Sequence, residues 1–172
     1  MNMDLWETAK AEAHALVAEA TQAGVTLGTA ESCTGGLVAG TITSVPGSSE
    51  ALLGGVVSYA LSVKQAVLGV SSEVLDTPGV GAVSPECAAQ MAEGVRKVLS
   101  CDIAVSVTGI AGPGGAEEGK PVGTVWFGLA TPAGTRCVHQ LFDGDRDEVR
   151  AQAVTRALGL LREGVMEMSA SR

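Results

Sequence analysis

No run of hydrophobic residues in this chain approaches the roughly 20 needed to cross a bilayer as a helix. The first residues carry Asp4, Glu7, Lys10 and Glu12 where a secretory signal needs an apolar stretch, so a soluble, cytoplasmic protein is expected. Cations are scarce: 11 Lys and Arg stand against 19 Asp and Glu, a net charge of -8. That balance argues against broad contact with nucleic acid or an anionic membrane, both of which need clustered Lys and Arg. A small anionic ligand stays compatible, because helix N-termini and one or two placed cations can hold it locally. Histidine is limited to His14 and His139, and the four cysteines, Cys33, Cys87, Cys101 and Cys137, include no Cys-x-x-Cys pair. No metal site is expected from that spacing, and buried reduced thiols are. Aromatic residues make up only 3% of the chain while glycines number 23, so the core is expected to be built from small aliphatic side chains.

What is present suits one domain over residues 1–172, with a core from about 5 to 165, long enough to bury a substantial interior. Leu5, Ala9, Ala13, Leu16, Val17 and Ala20 recur at helical spacing over residues 4–23, and Gly24 is a natural stop. A strand over residues 25–30 follows, then the turn Ser32-Cys33-Thr34-Gly35-Gly36 and a helix to about residue 43. Residues 52–58 read as a second buried strand closed by Tyr59, with a short helix carrying Lys64 beyond it. Residues 71–77 form a short helix. Ser84-Pro85-Glu86, a cap followed by proline at the first helical position, opens another helix whose apolar face runs through Ala88, Met91, Val95 and Leu99. Residues 103–107 are a buried strand emptying into the glycine-rich loop at 108–115. Residues 122–130 and 135–142 make a hairpin. A final helix starts at Gly144-Asp145-Arg146, and residues 166–172 read as a frayed tail. Strands alternating with helices, plus one hairpin, predict an α/β fold: a three-layer α/β/α sandwich with a mixed, mainly parallel sheet and one antiparallel hairpin.

Two stretches carry the candidate chemistry. Ser32 stands at a strand-to-helix corner, where unpaired helical N–H groups can hold an anion or a developing oxyanion beside a nucleophile. The same residue types, Glu31, Ser32 and Thr34, also serve as ordinary helix caps. Ser32, Tyr59 and Thr108 each fall at the C-terminal end of a predicted strand, where ligands of open α/β sheets bind, and this favours a site. The loop with Gly109, Gly112, Gly114 and Gly115 suits a phosphate cradle. Its spacing is not that of a dinucleotide fingerprint. Gly114 to Lys120 begins like a P-loop, but Pro121 stands where the magnesium-binding hydroxyl belongs and a strand follows instead of a helix.

A serine needs a base. His14 lies in a scaffold helix and His139 in the hairpin, so Lys64 remains, provided desolvation by Val63, Ala66, Val67 and Leu68 lowers its pKa; exposed on a short helix, it is an ordinary surface charge. Cys33 is a rival nucleophile, since a thiol at a helix N-terminus has a lowered pKa, but it points one residue around the turn, has no histidine to pair with and can equally pack under the helix, so it ranks behind Ser32.

The motifs Ala30-Glu31-Ser32-Cys33-Thr34-Gly35-Gly36, Gly54-Gly55-Val56-Val57-Ser58-Tyr59 with Val63-Lys64, Ala82-Val83-Ser84, Val107 through Gly115, Lys120-Pro121-Val122-Gly123-Thr124-Val125 and Gly144-Asp145-Arg146 resemble, in order and spacing, the CinA C-terminal domain family. Characterised members of that family include nicotinamide-nucleotide amidohydrolases. The resemblance implies hydrolysis of the carboxamide of nicotinamide mononucleotide, with Ser32 as nucleophile, Lys64 as general base and then acid, and Tyr59 orienting the lysine or lining the ring pocket. It further implies substrate contacts from Thr34, Gly35, Gly36, Thr108, Gly109, Gly112 and Arg146, no metal or organic cofactor, a small-molecule nucleotide substrate and self-association as a homo-oligomer. A non-catalytic nucleotide-binding module and a serine amidase for another small amide are the alternatives.

Overall fold

The computed structural model describes residues 3–171. Five strands form one sheet in the order β2-β1-β3-β4-β5, with β1 (Leu27–Glu31), β2 (Leu52–Val57) and β3 (Ile103–Gly109) parallel and β4 (Thr124–Thr131) and β5 (Gly134–Leu141) antiparallel. Helices α1 (Met3–Ala23), α2 (Leu37–Thr43) and α6 (Arg146–Ala170) pack one face; α3 (Leu61–Leu68), α4 (Ser72–Asp76) and α5 (Pro85–Leu99) pack the other. This is the three-layer mixed architecture expected from the alternation of strands and helices. Strand β1 is buried along its whole length, as is β3 up to its last residue, and each lies between two neighbours. Their sequences are correspondingly apolar or small at successive positions, the pattern of strands covered on both faces.

Besides shifts of one or two residues at other ends, one burial reading and two boundaries depart from the sequence pattern: β2, expected to be buried, is the edge strand and alternates half-buried with exposed residues. Val25 and Thr26 precede β1 because Val25 N–H closes the end of α1 on the Ala20 carbonyl, while both the amide and the hydroxyl of Thr26 donate to the Asp102 carboxylate. The expected frayed tail is helical up to Ala170; residue 172 lies outside the described residues. Met168 packs against the core, and Glu163 and Glu167 of α6 both pair with Arg136 on β5, so the last turns have partners that a lone chain end lacks. Among the described residues no helix is long and apolar enough to cross a membrane.

Close approach of α3 to α5 rests on Gly94, where a Cβ would meet the Leu68 carbonyl oxygen at 1.9 Å. Gly94→Ala is therefore expected to cost about 2–3 kcal/mol despite its better helix propensity, because backbone rather than a flexible side chain must move. Urea unfolding checks this; a midpoint equal to that of the wild type would contradict it.

Candidate functional site

The C-terminal ends of the three parallel strands lie side by side: Glu31 is in register with Val57 on one flank and Val107 on the other. The residues that follow, Ser32 after β1 and Ser58 and Tyr59 after β2, therefore emerge at one edge of the sheet. Ser32 N–H donates to Val107 O at 2.9 Å and Ser58 N–H to Glu31 O at 2.8 Å, tying the three strand ends together.

The turn after β1 is built around Glu31, a fully buried carboxylate. Its oxygens accept the Thr34 hydroxyl (2.7 Å) and the amides of Gly36 (3.0 Å), Val38 (3.0 Å) and Ala39 (2.9 Å). These amides open α2, so the acid caps the helix from five to eight residues upstream and matches the positive end of its dipole. Capping thus falls to Glu31, and Ser32 keeps a half-exposed hydroxyl with no capping bond. Gly36 adopts φ 97°, a left-handed conformation that lets its amide turn back to Glu31. The Gly35 amide donates to Ser32 O, whereas the Cys33 and Thr34 amides donate to no protein oxygen among the described residues.

Lys64, one turn into α3, is 1% exposed. Its Nζ donates to Ser32 Oγ at 3.0 Å and also to the Ser58 carbonyl. Burial pushes the amine below its ordinary value of 10.5, and the neighbouring Cys87 and Cys33 thiols offset this only in part. The expected cover is corrected by the structure: Ala66 and Val67 face solvent, and Lys64 is buried because it reaches inward from α3, toward the Ser32 turn and the start of α5. Of the two readings of Cys33, the packed thiol is the one found. Burial pushes its thiol up to about 11, the reverse of the lowering expected at a helix N-terminus, so it stays protonated near neutrality.

The Thr34 side chain is buried on Glu31, and the buried Thr108 hydroxyl donates to Ala82 O at 2.6 Å, holding the 80–84 loop against the sheet. Gly109 closes on β4, where a Cβ would meet Thr124 O at 2.6 Å. Arg146, exposed at the start of α6, donates to Gly112 O at 2.8 Å and to the Tyr59 hydroxyl at 3.4 Å. Tyr59, 65% exposed, is thus bonded to Arg146 at the rim, and no hydrogen bond joins it to Lys64. A cleft of about 380 Å³ lined by Ala111, Pro113, Val122 and the 144–147 segment opens beside Arg146. A groove of about 690 Å³ between α3 and α5 contains neither Ser32 nor Lys64. His14 is exposed on α1 and His139 stacks on Trp126, ring centroids 4.8 Å apart. No group of His, Cys, Asp and Glu able to hold a metal ion occurs among the described residues.

Arg150 escaped the sequence reading. From the second turn of α6 its Nε donates to Cys33 O and its Nη2 to Thr34 O, both at 3.2 Å. The only sequence signal was two arginines, 146 and 150, in the first turns of a helix, the end where a dipole favours acids.

Fold and site together define an α/β protein with a buried lysine amine on a serine hydroxyl at the carboxyl edge of a mixed sheet. Residues 9–165 match the family described as the CinA C-terminal domain, and the chain belongs to that family. It is 49% identical over 137 residues to a putative competence-damage inducible protein of Moorella thermoacetica, covering 80% of this chain and 33% of the relative. It is 51% identical over 132 residues to a CinA-like protein of Anaeromyxobacter sp. (strain K), covering 77% and 32%. The chain thus spans about a third of the length of these relatives. Among solved structures it is similar to the competence/damage inducible protein CihA of Agrobacterium tumefaciens (TM-score 0.84, 40% identity, covering 91% of this chain and 94% of the other). A CinA superfamily protein of Klebsiella pneumoniae gives a TM-score of 0.87 at 33% identity, covering 92% and 98%.

Proposed function

We propose that this chain is a serine amidohydrolase that converts nicotinamide mononucleotide and water to nicotinic acid mononucleotide and ammonia. The observation that carries the reading is the buried Lys64 amine 3.0 Å from Ser32 Oγ. The nucleotide as substrate rests on the family likeness, and the class of reaction on the pair itself.

A lysine whose pKa is lowered by burial holds a larger neutral fraction, able to take a proton, than an exposed lysine at the same pH. Ser32 Oγ attacks the carboxamide carbon as its proton passes to Lys64 Nζ, giving a tetrahedral oxyanion. The amides of Cys33 and Thr34, which meet no protein oxygen among the described residues, are the donors available to that oxyanion. Collapse breaks the C–N bond, and Lys64 returns the proton to the departing ammonia. Water then attacks the acyl ester, Lys64 again taking the proton, and returning it to Ser32 as the carboxylic acid leaves. In this reading Arg146, at the rim beside Gly112 and Tyr59, meets the phosphate, exchanging its bonds to Gly112 O and the Tyr59 hydroxyl for the two parallel bonds by which a guanidinium binds phosphate.

The test is ammonia release from nicotinamide mononucleotide by the purified protein and by Ser32→Ala. The variant is expected to lose at least about 10³-fold in kcat, since the covalent route is closed, while its unfolding midpoint stays at the wild-type value. Equal release by both would remove Ser32 from the chemistry. Binding of the nucleotide without release by the wild type would make the chain a binding module.

A further inference from the structure

We infer that Arg150 is a positioning residue for the reaction at Ser32, acting through the Cys33–Thr34 and Thr34–Gly35 peptide groups; the inference rests on the serine-hydrolase reading. The nucleophile turn is gripped from two sides. Glu31 collects its amides, and Arg150, arriving from α6 117 residues further along the chain, collects its carbonyls.

The bond from Arg150 Nε falls on Cys33 O, the carbonyl of the same peptide unit whose N–H belongs to Thr34. A carbonyl that accepts from a charged donor polarises its peptide, and hydrogen bonds in a chain strengthen one another. The Thr34 amide, which meets no protein oxygen among the described residues, becomes a stronger donor to an oxyanion formed at Ser32. The second bond, to Thr34 O, fixes the plane of the next peptide, so that the turn cannot rotate while charge develops.

The position is not one that helix formation alone would select. Arg150 lies in the second turn of α6, close to the positive end of the dipole, with Asp147 3.8 Å away as its ion-pair partner. Its side chain is 25% exposed, so the guanidinium can be reached, and replaced, from solvent.

A fluorophosphonate probe tests this without reference to the natural substrate. Ser32 Oγ bonds to phosphorus, fluoride leaves with the P–F electrons, the serine proton passes to Lys64, and the phosphoryl oxygen takes the place of the oxyanion. In Arg150→Ala the labelling rate at Ser32 is expected to fall about 10- to 100-fold, between loss of one oxyanion donor and mere weakening of it. Guanidinium ion at tens of millimolar is expected to restore at least about a third of the rate in the variant and to leave the wild type unchanged. The pH midpoint of labelling, set by Lys64, should not move. Arg150→Met, which keeps the aliphatic stem, provides the same reading if the alanine variant unfolds. Labelling at the wild-type rate in either variant, or a loss in both that guanidinium does not restore, overturns the inference. Wild-type labelling of Ser32 without ammonia release removes the nucleotide substrate and leaves Arg150 in its role; no labelling of Ser32 in the wild type overturns both.

Discussion

Lys64→Met is expected to abolish ammonia release and, in the same protein, to raise the stability of the fold. Loss of turnover follows from removing the only amine or imidazole that donates to Ser32 Oγ among the described residues. The gain in stability follows from what the amine costs when charged. It is 1% exposed, no carboxylate pairs with it among the described residues, and its partners there are a hydroxyl and a carbonyl. An unpaired buried cation costs several kcal/mol, whereas methionine fills a similar volume with apolar atoms and gives up two hydrogen bonds worth about 1 kcal/mol each. A net gain of about 1–3 kcal/mol near pH 7 results.

The pH dependence of that gain identifies its source. Burial lowers the folded-state pKa of Lys64 below 10.5. Between the lowered value and 10.5 the unfolded chain holds a proton that the folded chain has released, so this group makes wild-type stability rise with pH across that window. Below the window the full penalty is present; toward 10.5 it has been relieved. The difference between Lys64→Met and wild type should accordingly be largest below the lowered value and shrink as the pH rises through the window toward 10.5. Taking that difference cancels the buried Cys101 thiol, raised to about 11, which acts with the opposite sign above pH 9, whereas the Cys33 and Cys87 thiols, which the Lys64 charge pulls down, shift with the substitution and are read on the same curve. Urea unfolding at a series of pH values measures it, and a variant no more stable than wild type at pH 7 would show that Lys64 carries no such penalty.

Glu31→Ala is expected to have the largest effect on stability. Four donors lose their acceptor at once, among them the buried Thr34 hydroxyl and Val38 amide, and the first turn of α2 loses its only cap. Unsatisfied buried donors cost about 1–3 kcal/mol each, but water reaches part of the opened turn, so about 3–5 kcal/mol overall is expected. For a chain of 172 residues that corresponds to a fall in melting temperature of roughly 10 °C. Turnover should fall with it even where the variant is folded, because the amides of the turn have lost their frame while Ser32 and Lys64 are intact. Glu31→Gln keeps the shape but turns an NH2 group toward the donors, and should lie between. A melting temperature unchanged in Glu31→Ala would show that the turn is held by Arg150 and the strand ends alone.

The sheet was legible because its determinants are local. The buried runs of β1 and β3, the turn residues 131–134 between β4 and β5, and the Ser84-Pro85 start of α5 each carry their signal within a few residues. The last turns of α6 were misread because their support comes from Arg136 on β5 and from the core, neither of which is near in sequence. For Cys33 the sequence left two readings, a thiol lowered by the helix N-terminus or one packed under the helix, and burial, which sequence position does not reveal, decides for the second.

The sequence by itself determined the order of elements, the mixed three-layer class, the place of the Ser32 turn at a strand end and the candidate chemistry of hydroxyl, amine and glycine-rich loop. Periodicity, turn residues and residue type suffice for these because each acts over one element. Only the tertiary structure decided that Glu31 and not Ser32 caps α2, that Lys64 is turned inward onto Ser32 rather than outward to water, that Tyr59 meets Arg146, and that Arg150 grips the turn. Those partners lie 7, 32, 87 and 117 residues apart. Parallel strands must be paired before their ends share an edge, and burial, which decides whether an amine is a base or a surface charge, belongs to the assembled fold and to no single stretch of chain.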